Sequence, residues 1–574
     1  MYNLNQNWRG AHPIFLLVLK WGGRPFNISS SPITLSSFLG DKTFSGGLEQ
    51  DPELNFDLGD MGFSTDSYSL SIACILQDVD IAKEVLKGNV LQDASAELSY
   101  VLIKGGSSQS FDERVVLIDG LVKQPVYGHN EAVKGYVEFS IEAPAFFGSL
   151  YAFQTRSTGR INPLDISSLT NTSISPFTSK FIGSSTLVDV PDAHRGKALP
   201  IVLGLAGTIT DQSGTTKRYG ATPAYVIAVE TTGQNECWMG IASHYVDANQ
   251  VRVFDQDGNW LAPNVAHFIR ADGSVFAYLN FNLKDSFLTD RLRNIVNDSS
   301  AEYYISYHPN SGGGLLSRTD KTYIEGGGDI CIQFLSLGNA QIDYDEWVTL
   351  KPILNNYKFA GYINSTEASP LEFLQNEIIP YLPISVVYGP KGLKPILNFL
   401  YEGSNLYIKY GITANSEFLQ NSPIQTLTNS EDVINYYTLD YAFSLDQNKY
   451  MSSMRIVPDI NVNFNLQQFS NVYSVLSSQK YGIKKGEGES KYIHNETTAA
   501  LVCRDIVRFK GGCLRAIEYI ASPRYGYLEI GDIIRLTDSN LFDRPRIAQV
   551  IKKTWNQLNW LVTVKIENHL QNEI

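Results

Sequence analysis

Apolar and polar residues alternate along much of this chain, and the period of that alternation sets most of the expected elements. Tyr68, Leu70, Ile72, Cys74 and Leu76 are interleaved with Ser69, Ser71 and Ala73, the period-two pattern of a strand with one buried face. Val137, Phe139 and Ile141 alternate with Glu138, Ser140 and Glu142, and Tyr437, Leu439, Tyr441 and Phe443 alternate with Thr438, Asp440, Ala442 and Ser444. Both runs predict half-buried strands. Asp446-Gln-Asn448 then supplies a turn into a return strand over 451–456. Further strands are expected at 225–229 and 251–254. Near the end, Leu528, Ile530, Ile534 and Leu536 share one parity, and Trp560, Val562, Val564 and Ile566 another. With 546–551 between them, these predict a small barrel or sandwich.

Helical spacing is rarer. Asp78 and Asp80 offer capping carboxylates ahead of 81–86, and Gly88 can close that helix. Leu288, Leu292 and Ile295 predict a helix over 286–296. Ser369-Pro370-Leu371-Glu372 reads as a capping box with Pro at the first helical position; Leu371, Leu374 and Ile378 form the apolar stripe and Pro380 the stop. A polar loop at 484–491 leads into a helix over 497–509 closed by Gly511-Gly512. Asp119-Gly120, flanked by 115–118 and Leu121-Val122, predicts a tight hairpin. The Ser, Thr, Asn and Pro of 155–185 read as a boundary or long loop, and the Gly triplets 312–314 and 326–328 as flexible passages. A semi-independent β-rich insertion is therefore expected, cut first by proteases near 160–180 or 311–328.

Composition narrows the class. A chain of 574 residues exceeds what one core usually serves. Its 32 Tyr and 28 Phe favour pleated surfaces. The expected fold is mainly β with a few helices, multidomain. Residues 1–150 and 481–574 are expected to be barrel-like, 151–325 an inserted β-rich domain, and 326–480 an α+β domain. A net charge of −13 argues against a general grip on nucleic acid. The five cysteines, Cys74, Cys237, Cys331, Cys503 and Cys513, form no C-x-x-C pair; as an odd, scattered set they read as buried thiols made in a reducing place. The apolar run 14–21 is interrupted by Lys20 and is far shorter than a membrane span. It also lacks a secretory layout.

No arrangement of residues carries a reaction. Asp255-Gln-Asp257-Gly-Asn259 places oxygens at alternate positions, but Gly258 is misplaced for a calcium loop, and the twelfth position is Ala266. A hairpin turn explains it better. The eight His are dispersed, and His244 with Asp247 gives two ligands at most. Nucleophile-elbow and phosphate-loop motifs are missing. Asp343, Asp345 and Glu346 contain the carboxylates a glycosidase needs, yet 59 acidic residues produce such clusters by chance. The expectation is therefore a non-enzyme with no catalytic residue, cofactor or metal.

Four segments carry a resemblance. They are Tyr525-Gly-Tyr-Leu-Glu-Ile-Gly-Asp-Ile-Ile-Arg-Leu-Thr-Asp538, Glu372-Phe-Leu-Gln-Asn-Glu-Ile-Ile-Pro-Tyr-Leu-Pro383, Asn435-Tyr-Tyr-Thr-Leu-Asp-Tyr-Ala-Phe443 and Glu113-Arg-Val-Val-Leu-Ile-Asp-Gly-Leu-Val122. In this order they resemble the tail hub (baseplate hub) proteins of long-tailed bacteriophages. The resemblance implies a homotrimer at the virion tail tip, made in the bacterial host cytoplasm, with two barrel-like domains alternating round a ring. It implies as partners the distal tail protein or tail tube, the tape measure protein and a central fibre or spike. DNA would pass without specific binding; the excess of 59 acidic over 46 basic residues permits an inner wall where acidic groups predominate, the alternative being that the excess sits on the outside and serves solubility. Two alternatives share the β content: a receptor- or carbohydrate-binding tail protein, and a tail-associated cell-wall hydrolase. A hydrolase would need a catalytic constellation that these residues do not form.

Overall fold

The computed structural model describes residues 10–48, 55–58, 69–77, 79–128 and 135–142, separate strands and short stretches between 187 and 307, and most of 324–566. The expected loop at 155–185, the helix at 286–296 and the triplet 312–314 lie outside the described residues. The fold is mainly β and multidomain, with several sheets and a few helices.

The N-terminal sheet has nine strands. His12–Trp21 and Ser95–Lys104 pair at its centre, Val115–Tyr127, Tyr136–Glu142 and Ser69–Ile75 follow on one side, and Arg24–Ser29, Lys42–Gly46 and Ile33–Leu35 on the other. A bridge between Leu48 and Cys74, with Ile75 N–H donating to the Gly47 carbonyl at 2.7 Å, brings one flank back to the other. The sheet thus curls towards closure, which hides its edges. As the alternation predicts, Leu70, Ile72, Cys74, Val137, Phe139 and Ile141 all face the core. The short helix Ile81–Leu86 is capped by Asp80, whose carboxylate accepts from Lys83 N–H.

The expected hairpin at Asp119-Gly120 is absent. Val115–Tyr127 runs through it as one strand, with Asp119 paired to Glu97 and Gly120 to Ala96. A two-residue hairpin turn of that type needs positive φ at both central residues, and neither has it. The irregularity falls instead at Gln124, with φ of 49°, where the register against Tyr136–Glu142 shifts.

The C-terminal sheet has eight strands and gathers them from separated parts of the chain. Arg515–Ala521, Ile533–Thr537, Arg546–Asn556 and Asn559–Ile566 form its body; Tyr410–Thr413, Phe418–Gln420 and Gln425–Thr426 join its flanks, and Asn55–Asp57 pairs with Arg546–Asn556. Trp560, Val562, Val564 and Ile566 point inward as predicted. Leu528 and Ile530 precede the strand rather than lie in it, because Gly531, with φ of 90°, turns the chain just before Ile533. The N- and C-terminal sheets share one core. Phe15 meets Trp555 edge-on at 5.7 Å, Trp555 meets Trp560 at 5.0 Å, and the Tyr100 hydroxyl donates to the Pro523 carbonyl at 3.0 Å.

A second core binds the helices Gly327–Leu337, Tyr344–Leu354 and Glu496–Lys510 to a four-stranded sheet of Tyr436–Ser444, Lys449–Ile456, Gln468–Phe469 and Lys485–Glu489. The triplet 326–328 is no passage: Gly326 caps Gly327–Leu337, and Gly327 and Gly328 are buried where Leu382 and Asn355 leave no room for a side chain. The polar run 484–491 contains a strand, Lys485–Glu489, parallel to Tyr436–Ser444. Its charged residues face out, while Gly486 and Gly488 lie under Ile434 and Tyr437, which would collide with a Cβ there. The alternation in Tyr436–Ser444 holds through Tyr441 and then inverts, since Ala442 has φ of 58° and is itself buried, leaving Phe443 partly exposed. The helix at Ser369 has its capping box and proline as predicted, but passes through a π turn at Leu374–Ile378 and a 3-10 turn at Ile379–Tyr381.

Among the described residues, ten strands between Leu187 and Tyr307 pair only with one another. Val251–Asp255 and Trp260–Leu261 are antiparallel, as the hairpin reading of 255–259 expects; the residues between them lie outside the described ones. Ile201–Leu203 leaves this sheet to pair with Gly361–Ile363, and Gly204 N–H donates to the Ile324 carbonyl at 3.0 Å. Gly204 and Ile324, which flank 205–323, are therefore side by side. All five cysteines are free thiols, and four of them are buried. Among the described residues no helix is long and apolar enough to cross a membrane.

Candidate functional site, a buried charge cluster where three units meet

The segment Tyr525–Asp538 of the hub resemblance sits where the C-terminal sheet, the N-terminal sheet and the hairpin Ile384–Gly389/Gly392–Leu397 meet. Charges collect there. Lys394 from the hairpin reaches Glu529 Oε2 at 2.6 Å. Lys409 Nζ lies 2.7 Å from Glu346 and 3.1 Å from Asp532. Asp532 Oδ2 also accepts the Glu529 N–H at 2.8 Å, so the two carboxylates of one tight turn face different lysines. Lys553, 3% exposed, donates to the Gly526 and Leu528 carbonyls and lies 4.0 Å over the Trp560 ring. Gln549 Nε2 ties the same turn to the hairpin, donating to the Gly531 and Leu397 carbonyls at 3.1 and 2.9 Å.

The protonation behaviour follows from this packing. Burial alone would raise the Glu529 pKa, but Lys394, its hydrogen bond, Lys409 and Lys553 outweigh it and hold the carboxyl below its usual range. Asp532 is pushed up by burial despite Lys409 and Lys394. Burial would lower Lys409, yet Asp532 and Glu346 win and raise it. Burial dominates at Lys553, bringing it down from 10.5 to about 7, with Glu529 and Asp532 opposing. Its two carbonyl acceptors serve a neutral amine as well as an ammonium.

A titration is expected to expose Lys553. With a folded pKa below the unfolded one, the folded state holds fewer protons between about pH 7 and 10.5, so the lysine's contribution to stability rises with pH across that window. Below it the burial penalty is complete. The change is on the order of 5 kcal/mol. Urea unfolding of wild type and Lys553→Met from pH 6 upward checks it: the stability difference should move in favour of wild type as pH rises. A difference flat across the window would show that Lys553 does not titrate there.

Two clefts, of about 290 and 270 Å³, flank the turn and share Lys394 and Ile530 in their walls. Among the described residues neither pairs a nucleophile with a base; in their walls Lys394 pairs with Glu529, and Lys409 with Glu346 and Asp532. Lys394, Lys409 and Gln549 tie the turn to the hairpin and to the helix Tyr344–Leu354. Among the described residues no three His, Cys, Asp or Glu side chains are placed to hold a metal.

The carboxylates weighed in the sequence are dispersed into structural work. Asp343 stands at the N-terminus of Tyr344–Leu354, and Glu346 pairs with Lys409. His244 is buried, its Nε2 accepting from Val202 N–H at 2.9 Å; Asp247 lies outside the described residues. Sequence reasoning missed Lys394, Lys409 and Lys553. The available signal was a lysine in each strand-like run, but parity misleads at Lys553. Its strand shifts register between Val550 and Lys552, and a one-residue slip exchanges the faces.

No protein-family model matches the chain, and no curated protein matches it. Among solved structures, it is similar to the tail protein from Neisseria meningitidis MC58, with 6% identity, 97% of each chain covered and a TM-score of 0.34. It is similar to the 43 kDa tail protein of prophage MuSo2 from Shewanella oneidensis, with 8% identity over 96% of this chain and 98% of that one, at a TM-score of 0.30. A third is prophage tail protein gp18 from Listeria monocytogenes, with 9% identity over 64% of this chain and 94% of that one, at 0.22. All three are tail proteins. At TM-scores this low the likenesses decide neither fold nor function.

Proposed function

We propose that this chain is a structural, non-enzymatic protein of a phage tail, the hub at the tail tip. There it joins the tail tube or distal tail protein to a central fibre or spike and surrounds the passage for tape measure and DNA. The observation that supports this reading is the joining of the N-terminal and C-terminal sheets in one core through Phe15, Tyr100, Trp555 and Trp560. A threefold ring that continues a sixfold tube needs two such units per chain, held at a fixed angle. The shared aromatic core and the salt-bridged turn at Glu529–Asp532 supply that rigidity. Curled sheets also leave few free edges for unwanted pairing. The self-pairing sheet between Leu187 and Tyr307 supports placing 151–325 as an insertion on the outside of the ring. The proposed channel wall is acidic, since a basic one would hold DNA through counterion release.

The expected oligomer is a homotrimer of the 63.9 kDa chain. Native mass spectrometry of the purified protein, or electron cryomicroscopy of an assembled tail, would show three copies in a ring. A stable twofold dimer or a hexamer would sink the hub reading.

A further inference from the structure

Away from the charge cluster, a cleft of about 660 Å³ opens between the helix Glu496–Lys510, the start of the helix Val472–Tyr481 and the strand Arg546–Asn556. Its lining holds four guanidiniums, of Arg504, Arg508, Arg544 and Arg546, and one carboxylate, Glu402; the buried Asp505 also answers Arg504, at 3.2 Å from its Nε. In a chain with 59 acidic and 46 basic residues, this concentration runs against the composition. Glu402 answers Arg508 poorly. It is 65% exposed and stands 3.3 Å from Arg504 Nη1 and 3.6 Å from Arg508 Nη1, longer than a well-made charge-assisted hydrogen bond. Arg508 Nε is enclosed and has no hydrogen-bond acceptor among the described residues. The N-terminus of Val472–Tyr481, the positive end of its dipole, faces the same space. Val472, 55% exposed, adds an apolar wall with Phe399 and Ile547.

We propose that this cleft receives an acidic segment of a partner polypeptide, whose carboxylates occupy the positions Glu402 fills loosely and whose apolar side chains lie on Val472 and Ile547. Charge complementarity selects the carboxylates, and a volume in the range of ligand pockets suits a few side chains. Nucleic acid fits less well. A net charge of −13 repels a polyphosphate at long range, whereas a short acidic segment carries far fewer charges. The proposal does not depend on the hub reading, because the cleft and its charges stand whatever the chain's assembly.

The test is fluorescence anisotropy of the full chain with a labelled peptide alternating Glu and Leu, against the same peptide with Gln in place of Glu and a single-stranded DNA. The Glu peptide should bind, more weakly as salt rises, and the Gln peptide should not. R508E/R546E should weaken binding by about tenfold or more, and Glu402→Gln should strengthen it severalfold. Should the double variant fail to fold, Glu402→Gln decides: tighter binding supports the site and unchanged binding overturns it. Absence of binding by wild type, equal affinity for the Gln peptide, or tighter binding of the DNA would each overturn the proposal.

Discussion

Replacing Trp560 with Ala is expected to cost about 3–5 kcal/mol and to loosen the N-terminal and C-terminal sheets together. Trp560 is fully buried; its ring packs on Trp555 at 5.0 Å and Tyr100 at 6.4 Å, and Lys553 lies over its face. Removing it opens a cavity between two sheets rather than within one. The remaining side chains cannot close it without moving Tyr100, whose hydroxyl is tied to Pro523. Amide hydrogen exchange reads both sheets at once. Protection should fall in His12–Trp21 and Ser95–Lys104 as well as in Asn559–Ile566. Retained protection in the N-terminal strands, with loss confined to the C-terminal ones, would mean that the two sheets are separate cooperative units.

The second large effect is expected at Gly531. Its φ of 90° lies in the region that side chains resist, and a Cβ there would run into Ile396. Gly531→Ala should therefore lose about 1–2 kcal/mol to backbone conformation and about 1–3 kcal/mol to overpacking. The two parts are separable. Adding Ile396→Ala makes room for the new methyl group and should return the overpacking part only, relative to Ile396→Ala alone. Urea unfolding of the four proteins gives the cycle. A Gly531→Ala protein as stable as wild type would show that the turn between Glu529 and Asp532 is not held as described.

Much of the fold was legible because it is written locally. The strands at Val137–Ile141 and Trp560–Ile566 announce themselves by alternation, and each buries the predicted face. The helix Glu496–Lys510 carries its own cap in Asn495 and ends at Gly511. The capping box at Ser369 and Glu372 forms as its spacing requires. Where interactions within a few residues decide the conformation, a single sequence suffices.

The candidate site was not legible in this way. Asp119-Gly120 carries a hairpin signal, but pairing with Ala96 and Glu97 keeps the strand straight. Gly326–Gly328 and 484–491 look like linkers until Leu382, Asn355, Ile434 and Tyr437 arrive from elsewhere to pack where a side chain would stand. In the cluster of Lys394, Lys409, Lys553, Glu529 and Asp532, the paired Lys394 and Glu529 stand 135 positions apart. Sequence by itself determined the β character, the alternating strands, the capped helices and the absence of any motif for a reaction. Tertiary structure alone decided which strands share a sheet, that the N-terminal and C-terminal sheets share a core, and which lysines are buried. The physical reason is that alternation and capping act over a few residues. Register slips and burial of charge are settled only by neighbours that the fold brings from a distance.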